Sequence, residues 1–146
     1  FTILRFGSLY GLGTTKNNGV NTIIDEALKK NILSYQGSSL AARNYVHVSD
    51  ATRACIKSIS RKYDNKYLNI TGNKKIKISF LMKLLAKFMK IENSDIKYRN
   101  LKIEGHYVNT PRKFKPRQGS KLILKKYVNF EKSLRELIIE RQKNII

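Results

Sequence analysis

An α/β fold is expected for this chain, and three observations carry that expectation. Short apolar runs of strand length alternate with stretches whose apolar residues recur at helical spacing. Clusters of Gly, Ser, Thr and Asn separate the two kinds of segment. Hydrophobic residues make up 41% of the 146 positions, enough to fill a core and too many for a disordered basic tail.

Taken in order, Phe1–Phe6 reads as a buried strand that stops at Gly7 and the glycine-rich turn Gly11-Leu12-Gly13. Val20, Ile23, Ile24, Ala27 and Leu28 mark a helix, and Lys29 and Lys30 suit the negative end of its dipole. Ile32–Tyr35 is a short strand closed by Gln36-Gly37-Ser38-Ser39. Asn44–Val48 alternates as a half-buried strand does, and Ser49 or Asp50 is expected to cap a helix carrying Ala51, Ala54, Cys55 and Ile59. In that position Asp50 reads as a capping group rather than a catalytic one, and His47 as a packed or exposed strand residue. Tyr67–Ile70 is a further strand, stopped by Thr71-Gly72-Asn73. Ser79 is expected to cap the clearest helix, with Phe80, Leu81, Leu84, Leu85 and Phe88 on one face. After Ile96–Tyr98 comes an irregular basic stretch holding both prolines, Pro111 and Pro116, and then a helix from about Phe130 to Lys143 with Leu134, Leu137 and Ile138 inward. The strands are too few for a complete doubly wound sheet. The chain starts without Met, directly in Phe1-Thr2-Ile3-Leu4, and is expected to be part of a longer polypeptide.

Composition excludes several classes. The one cysteine, Cys55, rules out a disulfide framework and any multi-cysteine metal site. The most apolar stretch, Ile78–Met89, is interrupted by Lys83 and Lys87 and does not read as a membrane span. Thirty Lys and Arg against ten Asp and Glu give a net charge of +20, which suits polyanionic partners. Abundant Lys, Asn, Ile and Tyr with no Trp also fit compositional drift in an AT-rich coding sequence. The basic residues are densest between Lys97 and Lys126, where ten of them face one acid, Glu104. A non-enzymatic, basic nucleic-acid-binding domain is therefore one reading; a merely solvated basic surface is the other, and it implies only weak, sequence-independent binding.

Four landmarks, in order, favour a different reading. They are Leu4-Arg5-Phe6-Gly7-Ser8-Leu9-Tyr10-Gly11; Tyr35-Gln36-Gly37 followed by Arg43-Asn44-Tyr45-Val46-His47-Val48-Ser49-Asp50; Tyr67-Leu68-Asn69-Ile70-Thr71-Gly72; and Glu104-Gly105-His106-Tyr107. This order resembles the C-terminal half of the extended short-chain dehydrogenase/reductase family, specifically its NAD-dependent nucleotide-sugar epimerases and dehydratases. There the pattern runs Leu-Arg-x-x-Asn-x-Tyr-Gly, then Tyr-Gly-x-Gly-x-x-x-Arg-Asp-Tyr/Phe-x-x-Val-x-Asp, then Tyr-Asn-Ile-Gly.

The resemblance implies the last strands of a Rossmann-type parallel sheet plus a small α/β substrate-binding domain. Residues 1–15 and about 44–72 would be Rossmann-side elements, and about 16–43 and 73–146 mainly the substrate-binding part. It implies a cytoplasmic enzyme that removes and returns a hydride at a carbon of a nucleoside-diphosphate sugar. NAD would be held mainly by a missing N-terminal Rossmann half, and the full enzyme could form a homodimer. Arg43 matches the arginine that grips the diphosphate, a role suited to its two-pronged guanidinium; a surface arginine at a strand start is the plain alternative. Tyr35 matches the aromatic beside the base, or is simply a half-buried strand tyrosine. Asn21 and Thr22 stand where the family contacts substrate, although isolated polar residues also open helices. Phe6 and Gly7 would offer a backbone edge near the nicotinamide.

The departures are specific. Ser8 replaces the usual sugar-contacting Asn, and Asn44 replaces the acid after the arginine. Lys102-Ile103-Glu104-Gly105-His106 stands at the later nucleotide clamp, with Lys102 as a point charge in place of an arginine and His106 closing the segment. Neither the glycine-rich dinucleotide fingerprint nor a catalytic Tyr-x-x-x-Lys occurs in its place. Tyr98-Arg99-Asn100-Leu101-Lys102 has the spelling, but follows the Leu4–Gly11 strand instead of preceding it. Gly11-Leu12-Gly13-Thr14-Thr15-Lys16 lacks the spacing of a phosphate loop and reads as a turn. No catalytic residue and no metal site are expected in this chain.

Overall fold

The computed structural model describes residues 1–15, 18–99 and 119–143. Strand β1 (Ile3–Phe6) is followed by β2 (Ser8–Tyr10), helix α1 (Gly19–Lys30), β3 (Leu33–Gln36), β4 (Ala42–Arg43), β5 (Tyr45–His47) and α2 (Val48–Ser58). Then come β6 (Tyr67–Ile70), β7 (Ile76–Lys77), α3 (Ile78–Met89), β8 (Ile96–Arg99), β9 (Ser120–Lys121) and α4 (Phe130–Lys143). The α/β class expected from the alternation is the class observed. The basic, proline-containing stretch lies outside the described residues.

β1, β6 and β9 form a parallel sheet with β6 in the centre, Leu4 opposite Leu68 and Phe6 opposite Ile70. The amides of Ile3 and Gly7 donate to the carbonyls of Lys66 and Ile70, both at 2.9 Å. Backbone groups alternate along a strand, so those of Leu4 and Phe6 point to the other edge of β1. Among the described residues no strand pairs with that edge. Two further parallel pairs, β2 with β5 and β3 with β8, and one antiparallel pair, β4 with β7, complete the pairing.

Two apolar clusters hold these elements. The larger packs α1, α3 and α4 together through Ile24, Leu33, Leu81, Met82, Leu85 and Leu134. The smaller joins α2 to the three-stranded sheet through Val46, Ala54, Leu68, Ile70 and Leu122. Arg141 grips Asp25 with two hydrogen bonds, Nε to Oδ1 at 2.7 Å and Nη2 to Oδ2, and so fastens α4 to α1.

Several sequence expectations change in detail. The first strand does end at Gly7, where the chain changes partner and runs on as β2 beside β5, but it is largely exposed rather than buried, because one edge of β1 has no partner strand among the described residues. Helix α2 is capped by His47, whose Nδ1 accepts the Ser49 amide at 3.2 Å, not by Ser49 or Asp50. Ser79 lies inside α3 and does not cap it, because the first two amides, of Ile78 and Ser79, donate instead to the carbonyls of Ala41 and Ser39. The inward line of α3 is Ile78, Leu81, Met82 and Leu85, which leaves Phe80 46% exposed. Ile59 lies one step past the end of α2 and is exposed rather than inward. The last helix has the bounds and the inward residues expected of it.

Candidate functional site

In parallel α/β sheets the open crevice lies beyond the carboxyl ends of the strands. Here the ends of β1 and β6 meet the start of β5 at backbone contact. A Cβ on Gly7 would stand 2.6 Å from the Asn44 carbonyl oxygen, and one on Gly72 would stand 1.9 Å from that of Tyr45. Only glycine lets these segments approach so closely. The change of partner at Gly7 then pairs Ser8 with Tyr45.

Arg43 lies two residues before Tyr45, on β4, where pairing with Ile76 of β7 fixes its backbone. Arg43 is half-buried, and its Nη1 donates to the Ala42 carbonyl at 3.4 Å. Tyr35 sits on β3 opposite Tyr98, with Gly37 folded over its ring. The electrostatics of Tyr45 link the two: burial pushes its phenol well above the usual range, nearby Tyr35 adds to the rise, and Arg43 opposes it. Ser8 is thus the strand partner of Tyr45, a residue the sequence reading did not single out, and Tyr35 and Arg43 lie within electrostatic reach of its phenol, whose ring packs on Tyr10 and Phe130. A diphosphate beside Arg43 and an aromatic base beside Tyr35 are chemically compatible with that arrangement.

Asn21 and Thr22 are at the start of α1, which is tied to β2 by the Asn18 side chain donating to the Leu9 carbonyl at 2.7 Å. Asn21 is fully buried, and its Nδ2 donates to the Thr14 and Thr15 carbonyls at 3.2 and 3.0 Å, bracing the turn before the helix. Its Oδ1 is buried without a hydrogen-bond partner among the described residues. Thr22 is exposed, and its hydroxyl donates to the Asn18 carbonyl. Lys102 and His106 lie outside the described residues.

The backbone of Phe6 faces the open edge of β1, so it could meet a cofactor there. The Gly7 amide cannot, being committed to Ile70. No glycine-rich phosphate cradle is present among the described residues, and what they offer NAD is the backbone edge at Phe6. Tyr98 is raised by burial alone, the opposite of what a lysine-activated catalytic tyrosine requires. No group of His, Cys, Asp and Glu among the described residues could hold a metal ion.

A second polar cluster escaped the sequence reading. Tyr10, His47, Asp50 and Tyr127 help line a cavity of about 170 Å³. The Tyr10 hydroxyl pairs with Ser133 Oγ at 2.8 Å, and burial pushes its pKa up. Asp50 accepts the Val128 amide at 3.2 and 3.1 Å and pairs with Arg53. Asp50 therefore anchors the segment before α4 to α2, a tertiary role in place of the local cap expected of it. Burial pushes His47 below its ordinary value, with Asp50 and Glu136 opposing and Arg53 reinforcing the fall. Side-chain contacts across 78 or more positions of sequence leave no local signal that could have revealed this cluster.

No protein-family model matches the chain, and no curated protein matches its sequence. Solved structures do. A dTDP-glucose 4,6-dehydratase from Bacillus anthracis, in complex with NAD, superposes with a TM-score of 0.74 at 20% identity, over 98% of this chain and 45% of its own. A UDP-glucose 4-epimerase from Thermotoga maritima, with UDP-glucose, gives 0.71 at 22%, over 99% and 47%. A UDP-N-acetylglucosamine 4-epimerase from Methanobrevibacter ruminantium, in complex with UDP-N-acetylmuramic acid, gives 0.76 at 17%, over 99% and 46%. The fold is shared with NAD-dependent nucleotide-sugar epimerases and dehydratases. The chain spans less than half the length of each of these three structures.

Proposed function

We propose that this chain is the C-terminal, nucleotide-sugar-binding part of an NAD-dependent epimerase or dehydratase. The observation that carries the reading is a fold shared with such enzymes over nearly the whole chain, with Ser8 paired to Tyr45 and Arg43 two residues before it at the strand ends. Residues 1–15 and about 44–72 would complete the Rossmann side, and about 16–43 and 73–146 would form most of the substrate-binding part. Arg43 holds the nucleoside diphosphate, with Lys102 and His106 on the later segment of the chain. Tyr35 lies beside the base, and Ser8 offers its hydroxyl to the sugar. Asn21 and Thr22 shape the rim at the start of α1.

In an epimerase of this kind NAD, when bound, would supply reversible hydride exchange at a sugar carbon. This chain's own residues bind and orient the sugar nucleotide for that exchange. A Rossmann half along the open edge of β1, with Phe6 at the junction, would supply the cofactor fingerprint and the Tyr-x-x-x-Lys pair. The exposed Ile3 and Phe6 on that strand support such a partner. The enzyme would be cytoplasmic and could assemble as a homodimer; no helix among the described residues is long and apolar enough to cross a membrane.

The test is the reading frame upstream of the Phe1 codon. It is expected to encode a glycine-rich fingerprint and a Tyr-x-x-x-Lys, and the joined polypeptide is expected to turn over a nucleoside-diphosphate sugar that the chain alone leaves unchanged. An upstream frame lacking both motifs, or turnover by the chain alone, would contradict the proposal.

A further inference from the structure

The turn into β7 and the first turns of α3 and α4 enclose an open groove of about 600 Å³, lined by Lys74, Lys75, Lys77, Phe80, Phe130 and Glu131. A space of this size accommodates a nucleotide-sized group. Its character comes from two side-chain types. Lys74, Lys75 and Lys77 are exposed, and among the described residues none of their ammonium groups has an ion-pair partner. Phe80 is 46% exposed on a helix whose inward line is fully occupied without it, so its ring contributes little to the core. Lys83 and Lys87, three and seven residues after Phe80, are also exposed and continue the basic path along the same side of α3. Glu131 is the one carboxylate in the lining among the described residues.

We infer that this groove binds single-stranded nucleic acid, with Lys74, Lys75 and Lys77 on backbone phosphates and Phe80 as a stacking platform for an unpaired base. Lysines track a phosphate backbone, and an exposed ring offers a face that any base can use. A duplex keeps its base faces inside the stack and cannot use the ring, and an acidic peptide would use the lysines alone. The net charge of +20 raises attraction to every polyanion, whereas the groove gives that attraction one place and one geometry. The groove adjoins the proposed nucleotide-sugar site, since β7 pairs with Arg43 and Phe130 packs on Tyr45, but the inference uses none of that site's residues.

The test is fluorescence anisotropy of the full chain with a labelled oligothymidylate of about ten nucleotides. Replacing Lys74, Lys75 and Lys77 together by Gln is expected to weaken binding at least about tenfold and to lower the salt slope by about 2, as three lost single-strand phosphate contacts require. Replacing Lys29, Lys125 and Lys143 by Gln removes the same charge elsewhere and is expected to change affinity less than about threefold. Phe80→Ala is expected to lose about tenfold and Phe80→Tyr to keep most of the affinity, since tyrosine retains the stacking face. Equal losses in the two lysine variants, or unchanged binding in Phe80→Ala, would overturn the inference. So would binding of a duplex or of oligoglutamate as tight as that of the single strand.

Discussion

Gly72 lies so close to Tyr45 that a Cβ added to it would stand 1.9 Å from the Tyr45 carbonyl oxygen. The contact brings the end of β6 against the start of β5, and so holds Arg43 and Tyr45 in place relative to the three-stranded sheet. Its φ is not in the left-handed region, so the demand for glycine is steric, against backbone that cannot swing aside.

Gly72→Ala is therefore expected to destabilise the chain by roughly 3 kcal/mol or to prevent folding, as overpacking against fixed backbone does. Gly13→Ala makes the contrast: φ is +77° but no atom lies within 4 Å of the added methyl. There the cost should be about 1 kcal/mol, from backbone conformation alone. Chemical denaturation of both variants checks the order, and equal costs would refute the steric account.

The buried pair of Tyr10 and Ser133 should respond asymmetrically. Ser133 Oγ also bonds the Asn129 and Phe130 carbonyls, so Tyr10→Phe leaves it satisfied and should cost about 1 kcal/mol. Ser133→Ala strands the buried Tyr10 hydroxyl and should cost about 2 kcal/mol. Denaturation midpoints of the two variants measure the difference.

His47 should make stability depend on pH. Its pKa is lowered on folding, so the unfolded chain takes up the proton first. The contribution is complete above the unfolded value of 6.5 and is lost as pH falls through the folded one. His47→Asn keeps a short polar cap without a titrating group, and should flatten the fall in melting temperature between about pH 7 and about pH 5. Carboxylates titrate in both proteins, so the difference between the two curves isolates His47. Parallel curves would show that it does not.

The open edge of β1 should make the chain prone to self-association. Exposed strand edges pair with other chains, and a charge blunts them. Ile3→Lys is expected to reduce aggregation in light scattering during refolding, whereas Ile139→Lys, on the exposed side of α4, is not. Equal effects would point to general solubility rather than the strand edge.

Much of the fold was legible because long periodic segments declare themselves. Leu134, Leu137 and Ile138 fixed α4, and Leu81, Leu84 and Leu85 fixed the core of α3. The strands β4, β7 and β9 were not legible, because two residues carry no period and exist as strands only through their partners. The helix starts were misassigned where tertiary groups took over the capping: the Ala41 and Ser39 carbonyls at α3, and the His47 ring at α2. Of the site, Ser8, Tyr35 and Arg43 could be named from motif order. Their arrangement could not, since it depends on the partner change at Gly7 and on Tyr45, which belongs to no motif position then read as functional. Asn21 was legible as a polar residue at a helix start, but its hold on Thr14 and Thr15 is a product of the folded turn.

The most direct test is calorimetric binding of a nucleoside-diphosphate sugar to the polypeptide joined to its upstream half, with Arg43 varied. Arg43→Ala is expected to lose roughly ten- to a hundred-fold in affinity, about 1.5–3 kcal/mol for a charge-assisted contact, with the melting temperature nearly unchanged. Arg43→Lys should recover part of it, keeping the charge and losing the fork. Unchanged affinity in Arg43→Ala would contradict the assignment of this chain as the nucleotide-sugar-binding part of such an enzyme.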